Sequence, residues 1–193
     1  MIMASAPPFR VYMPRTLRRA GFAGGFATVV VAHDGLTIKG ADAGSRLVPW
    51  QHVAQVRAGF TETKHGQIYE ARIWIDGEEA PLRLFPFERS DRPLYGAAMR
   101  TLTQEMQALG HLSRVQSGVS KFEAILAPAL IGAVVIAALA AAAFAMEPPK
   151  WWHFFVLPGI PAIIFAILVW RARTLHWPRP LQQPSDLEPQ LPR

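Results

Sequence analysis

"QIYEARIWID", Gln67–Asp76, is the stretch from which the rest of the chain is most easily read. Tyr69, Ala71, Ile73 and Ile75 recur at every second position, with Glu70, Arg72 and Asp76 between them. Successive side chains of an extended strand point to opposite sides, so this alternation predicts a strand with one buried and one solvated face. Trp74 falls on the polar side with Glu70 and Arg72. An exposed ring on a polar face favours contacts with other molecules, so Trp74, together with Phe85 on the next strand, is a candidate interaction surface.

Downstream, Asp76-Gly77 supplies a turn and Leu82–Phe85 the following strand. Ser90 or Asp91 then caps a helix that has Pro93 in its first turn. Leu94, Ala98, Leu102, Met106 and Leu109 share one face of that helix, and Gly110 ends it. Upstream, Ala27–Ala32 is β-branched and apolar, His33-Asp34-Gly35 turns the chain, and Leu36–Lys39 returns. After a loop at Ala41–Ser45, a strand resumes at Arg46–Val48. Residues 26–110 therefore read as one compact β-rich domain closed by a helix.

"RLVPWQHVAQV", Arg46–Val56, places Trp50, Val53 and Val56 three apart after a strand. "IYEARIWIDGEEAPLRLFPF", Ile68–Phe87, then leads into the helix. Together these resemble the bacterial pleckstrin-homology-like domain, over Phe26–Leu109. The resemblance implies an α+β fold: a small, partly open antiparallel β-barrel capped by its C-terminal helix. It also implies a scaffold or recognition module rather than an enzyme. Eukaryotic members that bind phosphoinositides gather basic residues around the first hairpin. Here that turn offers His33 and Asp34, with Lys39 further on, so this chain departs from the pattern.

Two apolar runs follow. Ala124–Met146 is 23 residues without a formal charge, and Trp151–Trp170 is 20 residues with only His153 polar. At ~1.5 Å per residue the first is about 34 Å of helix, enough for a ~30 Å hydrocarbon core. Glu147-Pro148-Pro149-Lys150 between them fits a tight turn. The runs are thus expected to form a two-helix transmembrane hairpin, 124–146 and 151–170. Trp151, Trp152 and Trp170, with Arg171 and Arg173, are its expected anchors at the membrane interface. Ala129, Ala133, Ala137, Ala141 and Ala145 form a stripe of small side chains, expected to pack against Gly159, Ala162 and Ala166. Lys150 is the one base at the hairpin tip, against Arg114 and Lys121 before the runs and Arg171, Arg173 and Arg179 after them. That asymmetry predicts cytoplasmic termini in a multi-pass protein of the bacterial inner membrane.

Around these parts the chain divides into a basic, solvated arm (1–25), a juxtamembrane linker (111–123) and a Pro-rich cytoplasmic tail (171–193). In the linker, Leu112, Val115, Val119 and Phe122 fit an amphipathic helix, and Gly118 fits a flexible connection equally well. The tail has five prolines from Thr174 onward and reads as extended or disordered. Residues Met1–Met13 hold no apolar run of signal-peptide length.

The net charge of +6 invites a nucleic-acid reading. Its distribution opposes one: Phe26–Gly110 holds nine Lys and Arg against ten Asp and Glu. With no cysteine there is no thiolate metal site, disulfide or cysteine nucleophile. The six histidines are scattered, no nucleophile elbow, phosphate loop or zinc motif occurs, and no cofactor, metal or catalytic residue is expected. The lipid bilayer and a protein are the expected partners. The function expected is a membrane-anchored scaffold that positions another protein at the inner membrane. The alternatives are a small accessory subunit of a transport or assembly complex and a membrane enzyme acting on lipid.

Overall fold

A computed structural model describes residues 6–13, 15–19, 21–41, 44–119, 130, 132–135, 137–138, 141, 159, 162–170, 174 and 177–192. The chain divides into two compact units: Met1–Gly118 together with Pro178–Arg193, and Val119–Trp177.

The first unit is α+β, with nine strands in two sheets among its described residues. β1 (Phe9–Tyr12), β2 (Phe26–Ala32), β3 (Gly35–Lys39) and β4 (Ser45–Pro49) form an antiparallel meander in that order. A 3-10 turn at Trp50–His52 redirects the chain into β5 (Val53–Thr63). β5, β6 (Gly66–Ile75) and β7 (Leu82–Leu84) make a second antiparallel meander. β8 (Val115–Ser117) joins β5 in parallel, and β9 (Arg179–Pro180) pairs with β8, giving the order β7-β6-β5-β8-β9. Two sheets thus stand where one partly open barrel is expected. They meet along a single described seam, where the Tyr12 N–H donates to Phe85 O and the Phe87 N–H to Arg10 O.

Alternation decides the buried faces, as the sequence predicts for β6: Tyr69, Ala71, Ile73 and Ile75 are all buried. Val29, Val31, Leu36, Ile38 and Val48 cover the inner side of the first sheet, and Val56, Ala58, Leu82 and Leu84 that of the second. Trp50 fills the gap between β4 and β5 and donates from Nε1 to Ala32 O at 3.1 Å. At Gly35 the Val48 oxygen lies 2.3 Å from where a Cβ would stand, so the hairpin needs glycine.

The arm expected to be solvated contributes β1 and a short helix α1 (Arg15–Arg19). Phe9, Val11 and Leu17 are fully buried. Helix α2 (Asp91–Ala108) packs on β1 and β2. Ala98, Leu102 and Met106 are buried as expected, but Leu94 is only half-buried and Leu109 is exposed. Tyr95 and Met99 take their places, so the buried face is turned by about one residue. At the helix start it is Asp91 that accepts hydrogen bonds, from the backbone N–H groups of Arg10 and Glu88, each 3.1 Å. Phe9 meets the Tyr95 ring edge-on with centroids 5.8 Å apart. Burial pushes the Tyr95 phenol well above its ordinary range.

The Pro-rich tail also differs from expectation. Beyond β9 it forms a 3-10 helix, Pro184–Gln190, packed on α2, β5 and β8, with Leu181, Leu187 and Leu191 buried. Arg100 on α2 holds Glu188 through two hydrogen bonds of 2.7 and 2.9 Å. That contact lowers the Glu188 carboxyl below its ordinary range and raises Arg100. In the linker, Leu112–Arg114 is a 3-10 turn and Val115–Ser117 is β8.

In the second unit, residues 132–135, 137–138 and 162–170 are helical. Among the described residues no helix is long and apolar enough to cross a membrane. The expected two-helix transmembrane hairpin, and the multi-pass inner-membrane localisation drawn from it, are corrected by that finding: freedom from formal charge is needed for a span but does not by itself make one. The small-residue stripe is corrected too. Ala133, Ala137, Ala141, Ala162 and Ala166 are exposed, and the close approach is instead Gly132 on Phe165, 3.1 Å from a would-be Cβ. Trp170 is exposed at the end of the 162–170 helical run. Trp151, Trp152, Arg171 and Arg173 lie outside the described residues, as do Ala129 and Ala145.

Candidate functional site

The second sheet turns its even-numbered β6 positions outward. Register fixes what stands beside them. Arg57 on β5, Arg72 on β6 and Arg83 on β7 are Cα partners in turn, and Gln116 on β8 lies opposite Arg57. A row Gln116–Arg57–Arg72–Arg83 therefore crosses four strands. Trp74 pairs with Gln55 on one side of this row, and Glu70 pairs with Gly59 on the other. Gly59 is required there, because a Cβ would come within 2.7 Å of the Gly118 backbone where β8 ends.

The row is held by specific contacts. Arg57 donates to Gln116 Oε1 from Nε at 3.3 Å and from an Nη at 3.1 Å, and its guanidinium lies 5.1 Å from the Trp74 ring centre. Glu70 accepts two hydrogen bonds from Arg72, at 2.8 and 2.9 Å, and one from Arg83 at 2.5 Å. Arg83 in turn lies over Phe85, 5.2 Å from its centre. Both sequence-predicted residues, Trp74 and Phe85, are thus on this face and half-buried, each beneath an arginine. Such arginine–ring stacking contributes roughly 0.5–1 kcal/mol at exposed sites and holds the guanidinium flat. Arg72 and Glu70 are largely covered, while the Arg83 side chain keeps half its surface exposed.

The face is thus a flat array of two rings, three guanidinium groups and one carboxylate. It presents hydrogen-bond donors and π-surface, a composition enriched at protein contact sites. Sequence reasoning found Trp74 from its neighbours on β6. It missed Arg57, Arg83 and Gln116, whose relation to Trp74 exists only through cross-strand register.

Two further polar groups stand apart from this face. His33 Nδ1, in the β2–β3 turn, lies 2.8 Å from Glu105 Oε2, a carboxylate buried on α2 while the imidazole is exposed. Arg46 pairs with Glu78. Among the described residues no group of three or more His, Cys, Asp or Glu side chains is placed to hold a metal ion. Compared with known proteins, the chain matches no family model, no curated protein and no solved structure.

Proposed function

We propose that the β-rich unit is a protein-interaction module of pleckstrin-homology-like organisation, and that it holds its partner on the outer face of the second sheet. The observation that carries this reading is the pair of half-buried rings, Trp74 and Phe85, each roofed by an arginine of one cross-strand row. Aromatic and arginine side chains fixed on a rigid sheet lose little freedom on binding, which is what a contact surface needs. What supports the pleckstrin-homology-like part is a β-rich segment followed by one long helix, as the resemblance implies.

The test is in-cell photocrosslinking with a benzoylphenylalanine at Ile68, an exposed outward position of β6, and as a control at Leu47 on β4. A discrete protein adduct is expected from position 68 and not from 47. Trp74→Ser with Phe85→Ser should abolish it while the purified variant keeps its circular dichroism spectrum. Equal labelling from both positions, or an adduct that survives the double substitution, would end the proposal.

A further inference from the structure

The leucines of the tail need not come from the chain whose core they complete. We infer that two copies of this chain exchange their tails, so that Leu181, Leu187 and Leu191 of one copy pack on the first unit of the other, and that the apolar sides of their second units pair.

Strands β1–β8 and α2 all lie within Met1–Gly118, so that stretch already holds both sheets and the long helix. The tail is laid against it. β9 meets β8 through two residue pairs, Gln116 with Pro180 and Ser117 with Arg179. The Leu181 N–H donates to Val115 O at 2.9 Å, the 3-10 helix packs on α2, β5 and β8, and Glu188 pairs with Arg100. Between Gly118 and Pro178 runs the whole of residues 119–177, a compact unit of its own. Each tail contact is therefore the same whether the tail belongs to that copy or to a second one, which is the condition under which an element exchanges at low cost.

The gain from exchange lies in the second unit. Ile163, Ile167 and Trp170 are four and three residues apart on one helical run, so they share a side, and each is more than half exposed. Ala162–Trp170 carries no charge with which to recognise a polar partner. An identical apolar side matches it, and a two-fold pair of such runs removes from water a surface that a single copy leaves open. Exchanged tails hold the two second units in one molecule, so this second contact forms at high effective concentration.

Two single-substitution chains test the exchange, on a sequence that has no cysteine of its own. Arg100→Cys and Glu188→Cys replace side chains that meet at 2.7 Å. The two chains are mixed, loosened in urea, dialysed together and treated with a short bis-maleimide. A 100–188 crosslink between chains is expected, at least about fivefold above that of Leu47→Cys mixed with Glu188→Cys, Leu47 being an exposed position away from the tail. A chain carrying both Arg100→Cys and Glu188→Cys should also crosslink within itself. Gly96→Cys with Pro192→Cys repeats the test at a second contact, where a Cβ on Gly96 would stand 3.4 Å from Pro192 Cγ. Ile163→Ser with Ile167→Ser in both chains should lower the between-chain yield roughly threefold. Between-chain yields no higher than the Leu47 control for both pairs overturn the exchange. A yield unmoved by the two serines overturns the pairing of the second units and leaves their apolar sides to another occupant.

Discussion

The two units handle apolar side chains in opposite ways. In the first, Val29, Val31, Ile38, Ile73, Leu84 and Leu102 are completely buried between two sheets and a helix. In the second, the described residues leave Leu130, Val134, Ile163, Ile167 and Trp170 exposed. Alternation and helical spacing give an element one inward and one outward face. The run Ala162–Trp170 has no polar side, so whichever face packs, apolar side chains remain on the other. Gly132 and Phe165 make one close contact, and among the described residues Leu130, Val134, Ile163, Ile167 and Trp170 stay open. Hydrophobic content predicts burial only when a polar face tells the element which way to turn.

The comparison can be broken most severely at the tail. Removing 178–193 strips Leu181, Leu187 and Leu191 from the first unit, each contributing roughly 1.5–3 kcal/mol when fully buried. Loss of several kcal/mol is expected, seen as a broad, low thermal transition; an unchanged melt would show that the tail is no part of the core. A smaller effect is expected at the point where the chain leaves the sheet. Gly59→Ala forces a methyl against the Gly118 backbone and should cost about 1–3 kcal/mol, read by denaturant titration. Tolerance of that change would mean that β8 can lift from β5 without cost.

Smaller still is the Arg100–Glu188 pair, half-exposed on both sides and contributing at most about 1 kcal/mol. Because the Glu188 carboxyl is lowered in the folded state, its contribution is fully present above its ordinary value of 4.5 and fades as pH falls through the lowered one. The melting difference between the protein and Glu188→Gln should therefore shrink as the pH is taken progressively below the ordinary carboxyl range. A difference that grew in acid would reverse the sign of the pairing. Least disturbance of all is expected from excising the second unit. Ser117 and Arg179 are direct cross-strand partners. Replacing 118–178 with Asn-Gly should close them as a hairpin and leave the melt of the first unit near its original temperature. A collapsed melt would show that the two units stabilise each other.

Much of the first unit is legible in the sequence because its strands keep a strict period. β2, β3, β4, β6 and β7 lie where alternation and turn residues put them. β5, the longest strand, escapes because the register shifts between Val53 and Gln55, breaking the alternation at its start. β1 escapes because two inward residues, Phe9 and Val11, are too few to show a period after Pro7 and Pro8. The tail escapes because Leu181, Leu187 and Leu191 fall six and four apart, which fits neither a strand nor a helix, while five prolines suggest solvent. Of the candidate face, Trp74 is visible from its own strand. Its arginine partners are supplied by neighbours whose pairing no single strand records.

The hairpin of β8 and β9 has a consequence for the order in which the molecule is made. Its two halves leave the ribosome separated by the whole of residues 119–177, roughly 3–12 s at about 5–20 residues per second. Throughout that interval the flank of α2 around Gly96 and Arg100, and the edge of β8, wait without the tail residues that later meet them, Pro192, Glu188 and strand β9. The nascent chain thus spends several seconds with a nearly finished core and an open side, an interval in which a chaperone or a neighbouring chain has its best opportunity to bind there.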